Sequence, residues 1–550
     1  QPEALRDGNI DLSCFRERNA AHRGFGDVLW KAVSILRLPH DGLAEQAGDL
    51  ARQWAIDRLI AGSVDRIYDS ASFLGAKALM WTIESRLAGR PGLYHWHNQT
   101  IAAEDRCQED DARLEKARRG ERMLLLIHGT ASYTVGGFSD LRADEASWNA
   151  LRTQFPGGIF GYEHRTFSQS PQENALEVLN LLPEGAQVSI ITHSRGGLVG
   201  DLLCLRPEGD YSNAIAAYRI PAREDEPDAA GLASESAEEQ QRLRQIIDLI
   251  GRKKISVERY VRVACPARGT RFLSDNLDVA LSDFFNLLQW GGGALVGAVG
   301  AALGGPVAGD SAGQAASSAL GVLKRLVLEI AARRIDPRMI PGIAAMRIDS
   351  PLAAFLAHPD TSRREGLQMA VIAGDTEFTG LGLSHLGRRV ANLFCDWRLF
   401  DDHDNDLVVD TDSMYAGLAF KTGAFYLYDQ GEGVTHFRYF ANPVSRDALR
   451  DWLLKDPTKL SQLDNFLPLT PAFRPVATAS SRGRGLSDSQ PRVIFLPGIM
   501  GSYLTVEHAG RAERVWFDFF DLARGALEKI ARVDDKSIVA NEIWPRFYGD

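Results

Sequence analysis

Hydrophobic positions in the first ninety residues recur three and four apart. Val28, Leu29, Ala32, Val33, Ile35 and Leu36, then Leu50, Trp54, Ala55, Leu59 and Ile60, lay down the stripe that a packed amphipathic helix buries. Residues 1–118 therefore read as a helical N-terminal region. It is broken at Pro91-Gly92, where Leu93–Trp96 fits a short strand, and a charged run from Glu104 to Arg122 reads as a solvated helix and connector. From Met123 the pattern changes to short, unbroken apolar runs, each followed by a Gly-rich or polar turn and a helical stretch: Met123–Ile127, Gly158–Tyr162, Val188–Ile191, Tyr260–Ala264 and Met369–Ala373. Such runs are what a parallel sheet covered on both faces requires, so residues 119–455 predict a doubly wound α/β sheet.

Two stretches interrupt that rhythm. Residues 223–240, with Glu224, Asp225, Glu226, Pro227 and a Ser/Glu-rich continuation, read as an exposed insertion on the rim, leading into a helix through Leu243, Ile246, Ile247 and Ile250. A longer insertion, about 276–358, lies between two strands. Its centre, Trp290–Gly305, is uncharged and repeats small residues at four-residue spacing, Gly293 with Gly297 and Gly300 with Gly304, which lets helices approach closely. It is read as a lid or buried helical hairpin, with a membrane-inserting element and a Gly/Ala connector as alternatives. Residues 456–490 turn to Pro, Ser, Thr, Arg and Gly and read as a linker, after which a strand-like run, Arg492–Leu496, opens a segment 491–550 too short for a complete second unit.

Composition narrows the function classes. A chain of 550 residues has room for roughly three or four domains, or equally for two if one is a large α/β unit. Its 45% hydrophobic and 24% charged residues exclude a mainly disordered or fibrous chain. With 62 Lys+Arg against 72 Asp+Glu and no long basic block, a nucleic-acid partner is excluded. The five cysteines, Cys14, Cys107, Cys204, Cys265 and Cys395, lie far apart without metal-ligand spacing and read as buried thiols, so no metal or cofactor is expected. The start of the chain has no charged n-region followed by an apolar h-region, so a cytoplasmic site is expected. Because Gln1 is not an initiator Met, a longer or secreted polypeptide stays open.

The chemistry is carried by Thr192-His193-Ser194-Arg195-Gly196-Gly197, between the strand Val188–Ile191 and the apolar helix Leu198–Leu203. A serine on a sharp strand-to-helix turn fits the nucleophile elbow G-x-S-x-G, with Thr192 at its first position. The base must follow Ser194. His436, on the loop after the apolar run Ala424–Tyr428, is the candidate, and His358, His385, His403 and His508 read as surface histidines. Asp406 is the candidate acid, with Asp375 as runner-up; solvated turn chemistry or a cation site is the competing reading of Asp401–Asp410. Backbone N–H groups of Arg195 and of Thr130 or Ala131, in Ile127-His128-Gly129-Thr130, are the candidate oxyanion donors.

These residues resemble the α/β-hydrolase superfamily in its lipase and esterase branch, including proteins similar to the glycosylphosphatidylinositol inositol-deacylases. The resemblance spans about 120–450 and rests on Leu125–Thr130, Thr192–Gly197, Cys265–Thr270, Asn405–Val409 and Thr435–Phe437. The chain departs from the pattern at Thr192, at Ala267 and at Leu407, where many lipases carry Gly. A second stretch, Val493–Ser502, is similar to the opening strand and loop of lecithin:cholesterol acyltransferase-like hydrolases. The resemblance implies a serine hydrolase of carboxylic esters, lipid esters above all, working through an acyl-serine. It further suggests transient membrane-surface contact through the lid and a protein partner on the N-terminal helices. An acyltransferase or amidase with the same triad, and a catalytically idle hydrolase-shaped interaction module, are the rivals.

Overall fold

The computed structural model describes residue 84, most of 90–469 (90–108, 111–221, 229–273, 340–348, 350–377, 403–420, 424–431, 433–456, 459–460 and 463–469) and three short strands beyond residue 500. The expected N-terminal helices, the Gly/Ala-rich centre of the 276–358 insertion and the Arg492–Leu496 strand lie outside the described residues.

The apolar runs form one sheet. Its strands are β1 (Gly92–His95), β2 (Met123–Ile127), β3 (Gly158–Glu163), β4 (Gln187–His193), β5 (Ser256–Val263), β6 (Gln368–Asp375), β7 (Phe425–Gln430) and β8 (Leu467–Pro468), in the order β1-β3-β2-β4-β5-β6-β7-β8. Strands β3 through β7 run parallel, and β1 and β8 close the edges antiparallel. Every residue of β2 is fully buried, the environment its unbroken apolar run requires.

The chain passes from β2 outward to β3, then back across β2 to β4. With right-handed crossovers, that reversal puts helices α1 (Thr134–Ala143) and α2 (Glu145–Gln154) on one face and α3 (Pro171–Leu181), α4 (Gly196–Leu203) and α6 (Ala229–Arg252) on the other. The short α5 (Ser212–Ala217) joins α4 to α6, and α7 (Pro443–Leu454), which packs on α2, completes the first face. Helix starts follow capping chemistry. Ser170 accepts the N–H of Glu173 and receives that glutamate's carboxylate on its own N–H, ahead of Pro171 at the first position of α3; Asn442 accepts the Val444 N–H ahead of Pro443 at the first position of α7. No helix among the described residues is long and apolar enough to cross a membrane.

Three sequence expectations are corrected. The charged run 104–122 is not one helix: it forms short turns at Ala103–Asp105, Ala112–Leu114 and Glu115–Arg118, with Leu114 and Ala117 buried as anchors and the side chain of Asp111 capping the second turn. Much of the 223–240 insertion is helical, because α6 starts at Ala229. Arg242, three and seven residues beyond Glu239 and Glu235, pairs with both carboxylates, and such pairs hold the Glu-rich start in register with the apolar half. The first part of the linker expected at 456–490 belongs to the fold instead, since Leu460, Phe466 and Leu469 are buried and β8 pairs with β7. Beyond it, Ser502–His508, Arg511–Trp516 and Ser537–Ile543 form a separate three-stranded antiparallel sheet.

Beneath α4 lies a sealed ion pair. Arg262 on β5 donates to Asp201 at 2.6 Å with both side chains at 0% exposure, and its other amino group donates to the carbonyls of Met414 and Ala416. Removing one partner strands a buried charge. Asp201→Ala should therefore lower unfolding free energy by about 3–5 kcal/mol, while Asp201→Leu combined with Arg262→Met loses much less; denaturant titration of the three proteins checks this.

Candidate active site

The parallel register sets the ends of β2 and β4 side by side, Ile127 opposite Thr192, so the turns that follow them meet at the C-terminal edge of the sheet. This is the point where the chain order reverses, the place open α/β sheets offer to ligands. The turns touch. A side-chain carbon on Gly129 would sit 2.7 Å from Ser194 Cβ and 3.2 Å from Ser194 Oγ, so only glycine allows the approach.

Ser194 sits between β4 and α4 at φ +53°, a left-handed conformation that costs an L-residue roughly 1–2 kcal/mol. It is held there by the bond from its N–H to the Val263 carbonyl and by the Gly197 N–H on its own carbonyl. Strain is concentrated at this edge: among the described residues five non-glycines have positive φ, and Ala131, Ser194, Ala264 and Leu407 lie in loops that gather around it. Leu407 (φ +78°) stands where the resemblance has Gly, and Asn405 supports it by accepting its N–H. Thr192 fits because α4 is glycine where it passes: a side chain at Gly200 would lie 2.8 Å from Thr192 Cγ2 and 2.6 Å from the Tyr260 hydroxyl.

Asp406 and His436 are in contact. His436 Nδ1 lies 2.8 Å from Asp406 Oδ2, both residues are buried, and the His436 N–H donates to the Asp406 carbonyl. The rest of the carboxylate is also occupied: Oδ1 accepts the N–H groups of Val408 and Val409, and Oδ2 accepts the Tyr439 hydroxyl at 3.1 Å. Burial and the Asp406 charge hold the Tyr439 phenol well above its ordinary range, so it remains a donor. On the other side, His193 Nε2 donates to the His436 carbonyl at 2.7 Å and its ring lies 4.9 Å from that of His436. Burial, then the His436 ring, lowers His193 to about 3, so it is neutral and spends its one N–H on this bond. Among the described residues neither Ser194 Oγ nor His436 Nε2 makes a hydrogen bond, to the other or to any further partner.

Asp375 is turned elsewhere. Its carboxylate accepts from the Asn405 N–H and from Gln430 Nε2, and burial with the neighbouring Asp404 charge raises it to about 7. The N–H groups of Thr130 and Arg195 are claimed by no acceptor among the described residues, whereas that of Ala131 donates to Thr166 Oγ1 at 3.1 Å. Among the described residues no group of three or more His, Cys, Asp or Glu could hold a metal ion; the Asp-rich loop uses Asp406 as above and Asp410 on Arg271. Cys107, Cys204 and Cys265 are free and buried. Sequence reasoning missed Tyr439, His193 and Thr166. The first two adjoin the motifs, but their partners lie far away in the chain.

A doubly wound sheet with a strained serine after its central strand and a histidine loop after β7 defines a protein of the α/β-hydrolase fold. More narrowly, the chain belongs to the family described as domain of unknown function DUF7379, whose model matches residues 86–219 and 242–454. Solved structures similar to it include lipase BlEst2 of Bacillus licheniformis in mature form, at 13% identity over 61% of this chain and 92% of that one, with a TM-score of 0.27. Lipase 1 of Pelosinus fermentans matches at 13% identity over 62% and 99%, with a TM-score of 0.36, and the metagenomic carboxyl esterase MGS0156 at 13% over 60% and 76%, with a TM-score of 0.22. No curated protein matches the sequence.

The raised acid gives a pH signature. Asp375 binds its proton more tightly folded than unfolded, so its contribution favours the fold below about pH 4 and is lost as pH rises toward about 7. Asp375→Asn should flatten that decline: melting temperatures measured from pH 4 to 8 should fall less steeply with pH in the variant than in the parent.

Proposed function

We propose that the protein is a serine hydrolase of carboxylic esters, with Ser194 as nucleophile, His436 as base and Asp406 as the acid that orients it. The observation that carries the reading is the buried 2.8 Å contact between His436 Nδ1 and Asp406 Oδ2, on a loop that His193 ties back to the Ser194 turn. A carboxylate on Nδ1 fixes the tautomer whose Nε2 can take a proton, which is the function of this pair in acyl transfer. In the proposed reaction Ser194 Oγ attacks the ester carbonyl as its proton passes to His436 Nε2. The ester C–O bond then breaks, the alcohol leaves with that proton, and water releases the acid from acyl-Ser194 by the same steps. The N–H groups of Thr130 and Arg195 would receive the oxyanion, both being uncommitted, while that of Ala131 is already spent on Thr166.

Lipid esters are the proposed substrate class. Met346, whose sulfur accepts the Thr130 hydroxyl at 3.4 Å, places an apolar side chain beside the oxyanion loop, and the 276–358 insertion supplies a lid-like sequence. Transient membrane-surface contact belongs to the same reading, as does a reducing, cytoplasmic setting, which the free thiols of Cys107, Cys204 and Cys265 support.

A fluorophosphonate should label wild type on Ser194, and Ser194→Ala should lose both labelling and hydrolysis of short p-nitrophenyl esters; equal labelling of both proteins would refute the reading. Asp406→Asn should lower kcat by about three to four orders of magnitude, while Asp375→Asn leaves it near wild type; steady-state kinetics at pH 8 decides. Deleting residues 290–310 should spare soluble esters and remove preference for micellar ones, as assays above and below the critical micelle concentration will show.

A further inference from the structure

One buried carboxylate close to the candidate site has no part in the proposed reaction. Glu84 is 2% exposed and precedes the segment matched by the family model. Its Oε1 accepts the N–H groups of Thr166 and Phe167 and the Thr166 hydroxyl, and its Oε2 accepts the N–H and hydroxyl of Ser168. Three consecutive backbone donors and two hydroxyls thus converge on one side chain. Arrays of this kind suit a full negative charge better than a neutral acceptor.

The turn so gripped touches both halves of the candidate oxyanion hole. Thr166 Oγ1 gives its hydrogen to Glu84 and accepts the N–H of Ala131, the strained residue next to Thr130. The Gln169 carbonyl accepts Arg195 Nη2 at 2.7 Å, and the Gly342 carbonyl accepts Arg195 Nε. Gly342 is in turn fixed by its N–H on the Phe167 carbonyl. Glu84 also supplies negative charge to two buried guanidiniums, Arg165 and Arg195. The routes through Thr166 to Ala131 and through Gln169 and Gly342 to Arg195 end on the two loops that carry the candidate oxyanion donors.

We propose that Glu84 is a positioning residue for the oxyanion hole: by fixing the Thr166–Gln169 turn it holds Ala131, and with it the Thr130 N–H, in register with Ser194. The inference rests on the serine-hydrolase reading above. Glu84→Gln keeps shape but turns an amide NH2 toward backbone donors, and Thr166→Val removes the acceptor for Ala131 while leaving Glu84 in place.

Hydrogen bonds that strengthen as the oxyanion forms affect kcat more than KM, and they affect the affinity of a trifluoromethyl ketone, whose adduct carries an oxyanion. The full chain is compared with both variants by p-nitrophenyl butyrate kinetics, fluorophosphonate titration of active serines and trifluoromethyl ketone inhibition. The expected result is a loss of about tenfold or more in kcat per titrated serine, KM nearly unchanged, and inhibitor affinity weakened by a like factor. Wild-type kcat per titrated serine and wild-type inhibitor affinity in a folded Glu84→Gln overturn the proposal. If Glu84→Gln does not fold, the same wild-type values in Thr166→Val overturn it. An active wild type with unaltered variants removes this inference alone, whereas a wild type neither active nor labelled removes the hydrolase reading and this inference with it.

Discussion

A carboxylate shut away from water must be matched by donors or lose its charge, and the edge of the sheet around Ser194 is organised by that demand at Asp406. Its side chain is fully buried, and the Val408 and Val409 N–H groups, the Tyr439 hydroxyl and the His436 imidazole face its two oxygens. Meeting that demand fixes the loop. The chain must turn sharply after Asp406 to bring two of its own N–H groups back, and it does so through Leu407 at positive φ. The cost of that strained residue is offset by the hydrogen bonds the turn makes possible.

The same contacts couple three loops that are far apart in sequence. The His436 N–H is bound to the Asp406 carbonyl and its own carbonyl to His193, so the imidazole is held by backbone on both sides as well as by the carboxylate. Thr270 Oγ1 on the Val408 carbonyl ties in the loop after β5, and Thr376 Oγ1 on the Val434 carbonyl ties in the end of β6. The His193 turn ends β4 and the His436 loop follows β7, strands whose register is set by the buried sheet. Packing energy spread over the whole core is thereby transmitted to a few polar atoms at its edge.

Features with a local signature were legible in the sequence. Apolar runs bounded by turn residues located β2 to β6 to within a few positions, and the Thr192–Gly197 motif located the turn that the structure shows strained at Ser194. The choice between Asp406 and Asp375 was not local, since one carboxylate ends an apolar strand, the other stands in an Asp-rich loop, and neither neighbourhood names its partner; only the tertiary arrangement sets one against His436 and the other against Gln430. Glu84 was illegible for the same reason: its partners are 82–84 positions away, and nothing in its neighbourhood sets it apart from a solvated glutamate. The Glu-rich start of α6 was misread because ion pairs with Arg242 supply what apolar periodicity did not.

The central claim is that these polar atoms support acyl transfer through Ser194, and the acyl-enzyme itself is the most direct observable. Wild-type protein mixed with p-nitrophenyl butyrate, quenched in acid within the first turnovers and digested, should yield a peptide carrying a single butyryl group on Ser194. Nitrophenol should be released in a burst equivalent to the titrated serines, and a His436→Ala protein should show neither the adduct nor the burst. Steady turnover with no butyryl peptide, or an adduct on a residue other than Ser194, would contradict the account.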